Sequence, residues 1–424
     1  KPHMGHAYSS IVADFFSRFK KIDGFDVHFL TGTDEHGLKI QRSAEKNNKK
    51  PKEFCDEISK TFYDLSKKLN LSNTDFIRTT EDRHKKSVQC LWSLIEKNNQ
   101  VYLSKYSGWY SVSDETFYNN DEIETKNDKK YAITSGSIVE WVEEESFFFK
   151  LSEWEKPLLD FYEKNPKFIL PDSRRNEVIS FVKNGLKDLS VSRKSFSWGI
   201  KVPSNNDHVI YVWLDALTNY ISSLNYPDTN DRLYKKFWPA DVHIIGKDIL
   251  RFHAIYWPAF LMAANLPVPK RVYGHGWILS GDEKMSKSKG NILDPLEIIE
   301  KYGIDSLRYY LLKEVSFGND GNISKNKLET TINSDLANNY GNLCQRVLSF
   351  CERNCDFQVP ENIFEKEDLK HLNFFNVNKI RGYIDDQNIN SYMNLIVENL
   401  FSSNKYFNDQ EPWKKKNDKK RLNT

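Results

Sequence analysis

The chain has 424 residues, 39% of them hydrophobic and 28% charged, the composition of an ordinary globular protein long enough for two or three domains. A formal net charge of +2 excludes a protein that holds nucleic acid by bulk positive charge, although "KKKNDKKR" at 414–421 is a local basic cluster. No run approaches the ~18 apolar residues of a membrane helix, so no membrane partner is expected.

In chain order, Ala7 to Lys21 has helical periodicity, and "FDVHFLTGTDEHG" reads as an apolar strand that ends in a polar, glycine-containing loop. Helices are expected over Pro51 to Leu69 and Glu81 to Asn98. Strand, loop and helix in succession predict a parallel sheet flanked by helices. From Val101 the texture changes to short aromatic strands ("GWYSV", "ETFYN", "SFFFKL") broken by charged turns, as in an inserted module. Parallel-sheet texture returns at "HVIYVWLDALTNYI", "DVHIIGKDILRFHAIYWPAFLMAANL" and "RVYGHGWIL". Amphipathic helices dominate from Ile323 onward. The expected architecture is α/β, a Rossmann-like doubly wound parallel sheet split by the insertion and followed by a C-terminal α-helical bundle. Its expected segments are 1–100 and 206–280 for the two sheet halves, 101–205 for the insertion, 281–330 for a loop and connecting region, and 331–424 for the bundle.

Five cysteines, Cys55, Cys90, Cys344, Cys351 and Cys355, are scattered and odd in number, which argues for a reducing compartment rather than a disulfide framework. The last three share one helical face and are expected as a buried stripe, since no Cys-x2-Cys pair or histidine accompanies them. No metal ligand is assigned.

Two short motifs could carry chemistry. "HMGH" places His3 and His6 around Gly5 just ahead of the first predicted helix. A helix N-terminus favours phosphate, glycine permits a close backbone approach, and two imidazoles can donate to developing charge. "GDEKMSKSKGN" sets Lys284, Lys287 and Lys289 among serines and glycines. Such a loop suits phosphate oxygens, but on its own it reads first as a solvated lysine-rich surface. Trp213, Ala216 and Tyr220, spaced by three and four, share one helical face, and by themselves they fit an apolar site or a core stripe.

Together and in this order, the two motifs resemble the His-x-Gly-His and Lys-Met-Ser-Lys-Ser signatures of the class I aminoacyl-tRNA synthetases, the second present in full at 284–288. "FLTGTDEHG", "YVWLDALTNYI", "VYGHGWILSGDEKMSKS", "RTTEDRH", "VEWVEEESFFFKLS" and "RRNEVISFVKNGLKDLSVSR" extend the resemblance to the methionyl-tRNA synthetases over nearly the whole chain. The resemblance implies activation of L-methionine by ATP with Mg²⁺, then transfer to the terminal adenosine of initiator and elongator methionine tRNA. It implies catalytic and ATP-binding roles for His3, His6, Lys284 and Lys287, with Gly5 at the nucleotide. It implies a methionine site of Asp34, Arg193, Trp213, Ala216, Tyr220 and His275, with Asp34 on the α-ammonium. In "ANNYGNLCQRVLSF" and "NDQEPWKKK", it implies that Asn342, Arg346 and Trp413 read the anticodon, an exposed tryptophan beside lysines being suited to an unstacked base.

Two departures from the family accompany these matches. Residues 101–203 hold no cysteine, so the zinc knuckles of many members are not expected here. The strand and loop that precede His-x-Gly-His in the family are missing, so the chain is expected to be truncated at both ends, with an incomplete methionine pocket. A monomer in the bacterial cytoplasm, or in an organellar matrix, is expected. The alternatives are a leucine, isoleucine or valine synthetase, for which the insertion is too short to edit, a tRNA-independent nucleotidyltransferase, and a non-enzymatic tRNA-binding relative.

Overall fold

The computed structural model describes residues 2–280, 283–284, 294–358, 376–415 and 418. These group into two compact units, one of residues 1–2 and 20–275, the other of residues 3–19 and 276–424. The helix of the first motif therefore groups with the C-terminal residues and not with the rest of 1–100.

In the first unit, two parallel patches carry the sheet. Leu30–Thr33 pairs with Asp75–Arg78 from Leu30↔Asp75 to Thr33↔Arg78. Val272–His275 pairs on one side with His243–Gly246 and on the other with Ile169–Leu170. Helices Pro51–Lys68 and Asp82–Lys97 fall where periodicity predicts them. The second of these buries His84, Val88, Leu91, Trp92 and Ile95, a helical stripe facing a core that includes Phe149, Trp257 and Phe260. Burying each such large side chain contributes about 1.5–3 kcal/mol.

The insertion is more regular than its sequence suggests. Val101–Ser111 and Glu140–Phe149 form one long antiparallel ribbon, in register from Val101↔Phe149 to Tyr110↔Glu140. Thr116–Tyr118 lines one edge and Leu189–Ser190 the other. At the tip, Asp114 accepts hydrogen bonds from Tyr118 (2.8 Å), Ser135 (2.5 Å) and Ser137 (2.8 Å), so one carboxylate cross-links two turns. Burial pushes this carboxyl up, but the hydrogen bonds of Ser135, Tyr118 and Ser137, with Ser111 beside them, outweigh that and hold it below its ordinary range.

Two segments differ from expectation. Ile169–Leu170, within 101–205, belongs to the parallel patch of Val272–His275. "HVIYV" does not extend the parallel sheet, because Asn205–Ile210 pairs antiparallel with Ser192–Arg193 and Lys201–Val202. A short apolar run fits a buried strand of either direction, so its periodicity could not choose between them.

In the second unit, the helix Met4–Ile22 buries Met4, Ala7, Tyr8, Ile11, Val12 and Phe16. Phe16 lies 6.2 Å from the ring of Phe317, and Phe15 lies 5.2 Å from Tyr392. Asp14, fully buried on the same helix, accepts from Arg18 at 2.7 Å and from Arg308 of helix Ile304–Glu314. The strand Ile278–Ser280 pairs antiparallel with Glu283–Lys284 and parallel with Gly321–Ile323. The C-terminal residues are helical as expected, in Ile332–Gly341, Asn342–Asn354, Val377–Asp385 and Ile389–Gln410. The expected cysteine stripe is corrected: Cys344, Cys351 and Cys355 are partly exposed, and helix Asn342–Asn354 carries no fully buried residue. Periodicity marks a helix face without fixing what covers it.

Removing one partner of a buried ion pair strands the other charge. Asp14→Ala is therefore expected to lower the urea-unfolding free energy by about 3 kcal/mol, against under about 1 kcal/mol for the exposed-pair variant Lys60→Ala.

Candidate active site

The "TDEH" loop after Leu30–Thr33 alternates like the strand it leaves, sending Glu35 and Asp34 to opposite sides. Glu35 is buried and accepts from Arg78 Nε (2.7 Å) and Nη2 (3.0 Å), Thr33 (2.7 Å) and Thr80 (2.5 Å). Its backbone is held as well, the amide donating to Thr79 and the carbonyl accepting from Trp198 Nε1 and Cys55. Asp34, fixed by these neighbours, is open to solvent on one side and walled by protein on the others. Desolvation by that wall, then the charge of Asp215, raise its carboxyl to about 6, His84 and His36 pulling the other way. Because water reaches the group, this rise carries less free energy than it would for a sealed carboxyl.

The next residue, His36, ties the loop to a second element. Its Nδ1 donates to Asp215 Oδ2 at 2.7 Å, and His84 Nε2 donates to Asp215 Oδ1, also at 2.7 Å. Ser222 spends its own proton on the Thr218 carbonyl (2.7 Å), so it accepts from His84 Nδ1 at 2.8 Å. His84 is thus hydrogen-bonded through both ring nitrogens, to Asp215 and to Ser222. Burial alone would push Asp215 up; the charges and hydrogen bonds of the two histidines outweigh it and hold the group at about 2.

Asp215 sits on helix Val212–Leu217, one residue before Ala216 and two after Trp213. The helical face expected to carry Trp213, Ala216 and Tyr220 is broken at Thr218, after which Asn219–Ser222 forms a separate short helix. Trp213 stacks on Phe252, with centroids 3.8 Å apart and planes 11° apart, and Tyr220 stacks on His243 at 3.9 Å. His253 donates from Nδ1 to the Ile249 carbonyl (3.0 Å), and burial lowers the ring to about 4, so its neutral Nε2 accepts from Tyr220 Oη at 2.7 Å. Phe252 and His253 lie on a π-helical turn, Phe252–Tyr256, a local distortion common at functional sites. His275 is elsewhere in the sheet, at the end of Val272–His275 opposite Gly246. Arg193 is buried, donating to Ser190 Oγ (2.8 Å) and the Ser192 carbonyl (2.7 Å), with Tyr110, Phe117 and Tyr211 rings around its guanidinium.

In the other unit, the two histidines of the first motif cap the helix in a variant of the capping box, the His3 ring taking the second rather than the third amide. His3 immediately precedes helix Met4–Ile22; its Nδ1 accepts from Gly5 N–H, and its own N–H donates to His6 Nδ1, both at 3.1 Å. Spending both Nδ1 atoms as acceptors leaves Nε2 as the protonated nitrogen of each ring. Burial, then the neighbouring His3, lowers His6 to about 3, so its ring is neutral near pH 7. A Cβ on Gly5 would stand 3.0 Å from His3 Cε1, a tight contact that glycine avoids. Lys284 ends the strand Glu283–Lys284 opposite Leu279, while Lys287 lies outside the described residues. Arg346, one turn after Asn342, lies 4.8 Å from the ring of Phe407 and donates to Asn408. Phe407 in turn is 6.2 Å from Trp413, which is 42% exposed, so Arg346 and Trp413 share one aromatic patch.

Sequence reasoning missed Glu35, His36, His84, Asp215 and His253. Glu35, His36 and His84 lay within quoted stretches without a spacing that would pair them, and nothing local distinguishes His253.

A helix opened by His-x-Gly-His, in a chain that also carries Lys-Met-Ser-Lys-Ser, defines a class of nucleotide-dependent ligases, and comparison with known proteins agrees. The family model for "tRNA synthetases class I (M)" matches residues 1–348. The methionine–tRNA ligase of Brucella suis is 50% identical over 428 residues, covering all of this chain and 83% of that protein. That of Rickettsia conorii is 51% identical over 419 residues, covering 97% and 81%. The Mycobacterium tuberculosis methionyl-tRNA synthetase, solved in complex with methionyl-adenylate, superposes with a TM-score of 0.97 at 45% identity, over all of this chain and 85% of that one. The chain belongs to the methionyl-tRNA synthetases, the methionine branch of class I.

A carboxyl depressed below its unfolded value of 3.8 stabilises the fold above that pH and loses its contribution as pH falls toward its folded value of about 2. Asp215→Asn is expected to lower urea-unfolding free energy at pH 6, and the gap to the unsubstituted chain is expected to narrow steadily from pH 4 downward. A gap that does not change with pH would contradict the clamp.

Proposed function

We propose that the residues described above divide the work of an aminoacyl-tRNA ligase between methionine recognition and phosphate handling. As a member of its family, the chain activates methionine with ATP and transfers it to tRNA. In the first step, a methionine carboxylate oxygen attacks the α-phosphorus of ATP, the bond to the bridging oxygen breaks, and pyrophosphate leaves. In the second, a hydroxyl of the tRNA's terminal adenosine attacks the anhydride carbonyl and AMP departs. Neither step needs a protein nucleophile, so positioning and charge stabilisation carry the catalysis.

The observation that supports this assignment best is Asp34, a carboxylate held open to solvent by a loop whose other members are bonded inward. In our reading it pairs with the methionine α-ammonium. Trp213, Ala216 and Tyr220 receive the side chain, where a thioether gains from aromatic contact. We add His253 through its bond to Tyr220, whose hydroxyl burial and the charge of Asp34 keep protonated. His275 and Arg193 remain candidates, Arg193 through the insertion it pins. His3 and His6 donate from Nε2 to phosphate oxygens, with Gly5 allowing the box to form, and Lys284 and Lys287 hold the departing pyrophosphate. Mg²⁺ arriving with ATP would supply charge neutralisation at the phosphates; among the described residues, no group of three or more His, Cys, Asp or Glu is arranged to ligate a metal. Asn342, Arg346 and Trp413 read the anticodon of initiator and elongator methionine tRNA.

The functional segments we propose remain 1–100, 101–205, 206–280, 281–330 and 331–424, following motifs rather than compactness. The bacterial sources of the relatives favour a cytoplasmic location. Among the described residues no helix is long and apolar enough to cross a membrane.

Pyrophosphate–ATP exchange is expected with methionine and not with leucine or cysteine; the opposite preference would overturn the reading. Methionine affinity is expected to fall as pH drops through about 6, where Asp34 takes up its proton, and this step should vanish in Asp34→Asn, which should bind methionine at least ~100-fold more weakly. Trp413→Ala should reduce tRNA charging by about tenfold or more while exchange is unchanged, the cost of about one lost base stack.

A further inference from the structure

The tip of the inserted ribbon reaches the loop that carries Asp34. Glu115 lies in the turn between Val101–Ser111 and Thr116–Tyr118 and adopts a left-handed backbone, φ +50°, unusual for a long side chain. Its Oε1 accepts the Lys39 amide at 3.1 Å, in the first turn of helix Leu38–Lys46. Lys39 Nζ returns the contact, donating to the Ser113 carbonyl at 3.2 Å. Gly37, the last residue of the "DEHG" loop, has φ +107°, and a Cβ there would fall 2.3 Å from Glu115 Oε1. The carboxylate thus occupies the space that a glycine leaves open.

We propose that Glu115 is a positioning residue for methionine: by holding Gly37 and the first turn of helix Leu38–Lys46, the insertion sets the placement of Asp34. This rests on the assignment of Asp34 to the α-ammonium. Glu35 and His36 fix the loop from the core side, and Glu115 fixes its far end from a different part of the chain. The left-handed turn suits the role, because it accompanies the contact of the Glu115 carboxylate with the helix. Burial pushes the Glu115 carboxyl up to about 7, while the Lys39 amide and the charges of Lys39 and Arg193 draw it down and that of Asp34 raises it. Even protonated, the group keeps an acceptor oxygen for the Lys39 amide, so hydrogen bonding rather than charge carries the positioning.

The test is methionine-dependent pyrophosphate–ATP exchange on the full chain. Glu115→Ala is expected to raise the methionine KM about tenfold, with kcat and the ATP KM within about twofold, because a loop displaced by a fraction of an ångström misplaces only the group it carries. Glu115→Gln, which retains an acceptor oxygen, should restore the methionine KM to within about twofold. If the alanine variant does not fold, Glu115→Asp, which withdraws the oxygen from the Lys39 amide, should give the same methionine-only increase. An unchanged methionine KM in a folded Ala or Asp variant, an equal rise in the ATP KM, or a glutamine variant as impaired as alanine would each overturn the proposal. Asp34→Asn, run in parallel, separates the two claims. If it retains methionine binding, the ammonium assignment fails; if it loses binding while Glu115→Ala does not, only the role of Glu115 fails.

Discussion

The first unit's site depends on one buried carboxylate. Asp215 receives a ring N–H on each of its oxygens, from His36 and from His84. Without them an ionised aspartate in that position would carry an uncompensated charge in a medium that solvates it poorly. With them, three elements distant in sequence meet at one point: the loop of Asp34, helix Asp82–Lys97, and the helix of Trp213 and Ala216. The Asp34 carboxyl can stay exposed because everything beside it is fully engaged. A functional group turned toward solvent is useful only if its neighbours fix where it points.

The second unit shows the same economy at smaller scale. The His-x-Gly-His spacing coincides with the N-cap to N3 spacing of a capping box, and here the imidazoles stand in for the usual hydroxyl and carboxylate. The two bonds cap the helix and, by consuming both Nδ1 atoms, also select the tautomer that can donate to phosphate. One local arrangement therefore both caps the helix and sets which nitrogen of each ring carries the proton. Arg346, Phe407 and Trp413 make a parallel case, since packing on Phe407 brings the arginine and the tryptophan to one exposed patch.

The insertion is more than a spacer. Asp114 cross-links its turns through hydroxyl donors, Arg193 is boxed by its aromatic rings, and Glu115 extends from its tip to the start of helix Leu38–Lys46. Through Glu115 the insertion meets the start of the helix that follows the Asp34 loop.

The sequence alone was enough for the parts with a local physical signature. Helices at 51–68 and 82–97 follow from apolar periodicity, and the helix after His6 from its repeat; the two signature motifs and their order carry the family. Asp34, Trp213, Ala216 and Tyr220 were legible as candidates because the family resemblance names them, and Arg346 and Trp413 likewise. Whether an apolar run would pair parallel or antiparallel was not legible, so "HVIYV" was misassigned, and neither was what would cover the cysteine face of 342–354. The partners of Asp215, the bond from His253 to Tyr220 and the reach of Glu115 to Gly37 join residues 33 to 179 positions apart. No spacing rule spans such distances. Local sequence fixes which groups a segment offers, but only tertiary packing decides which of them are desolvated together, and desolvation is what turns a pair of ordinary side chains into a clamp.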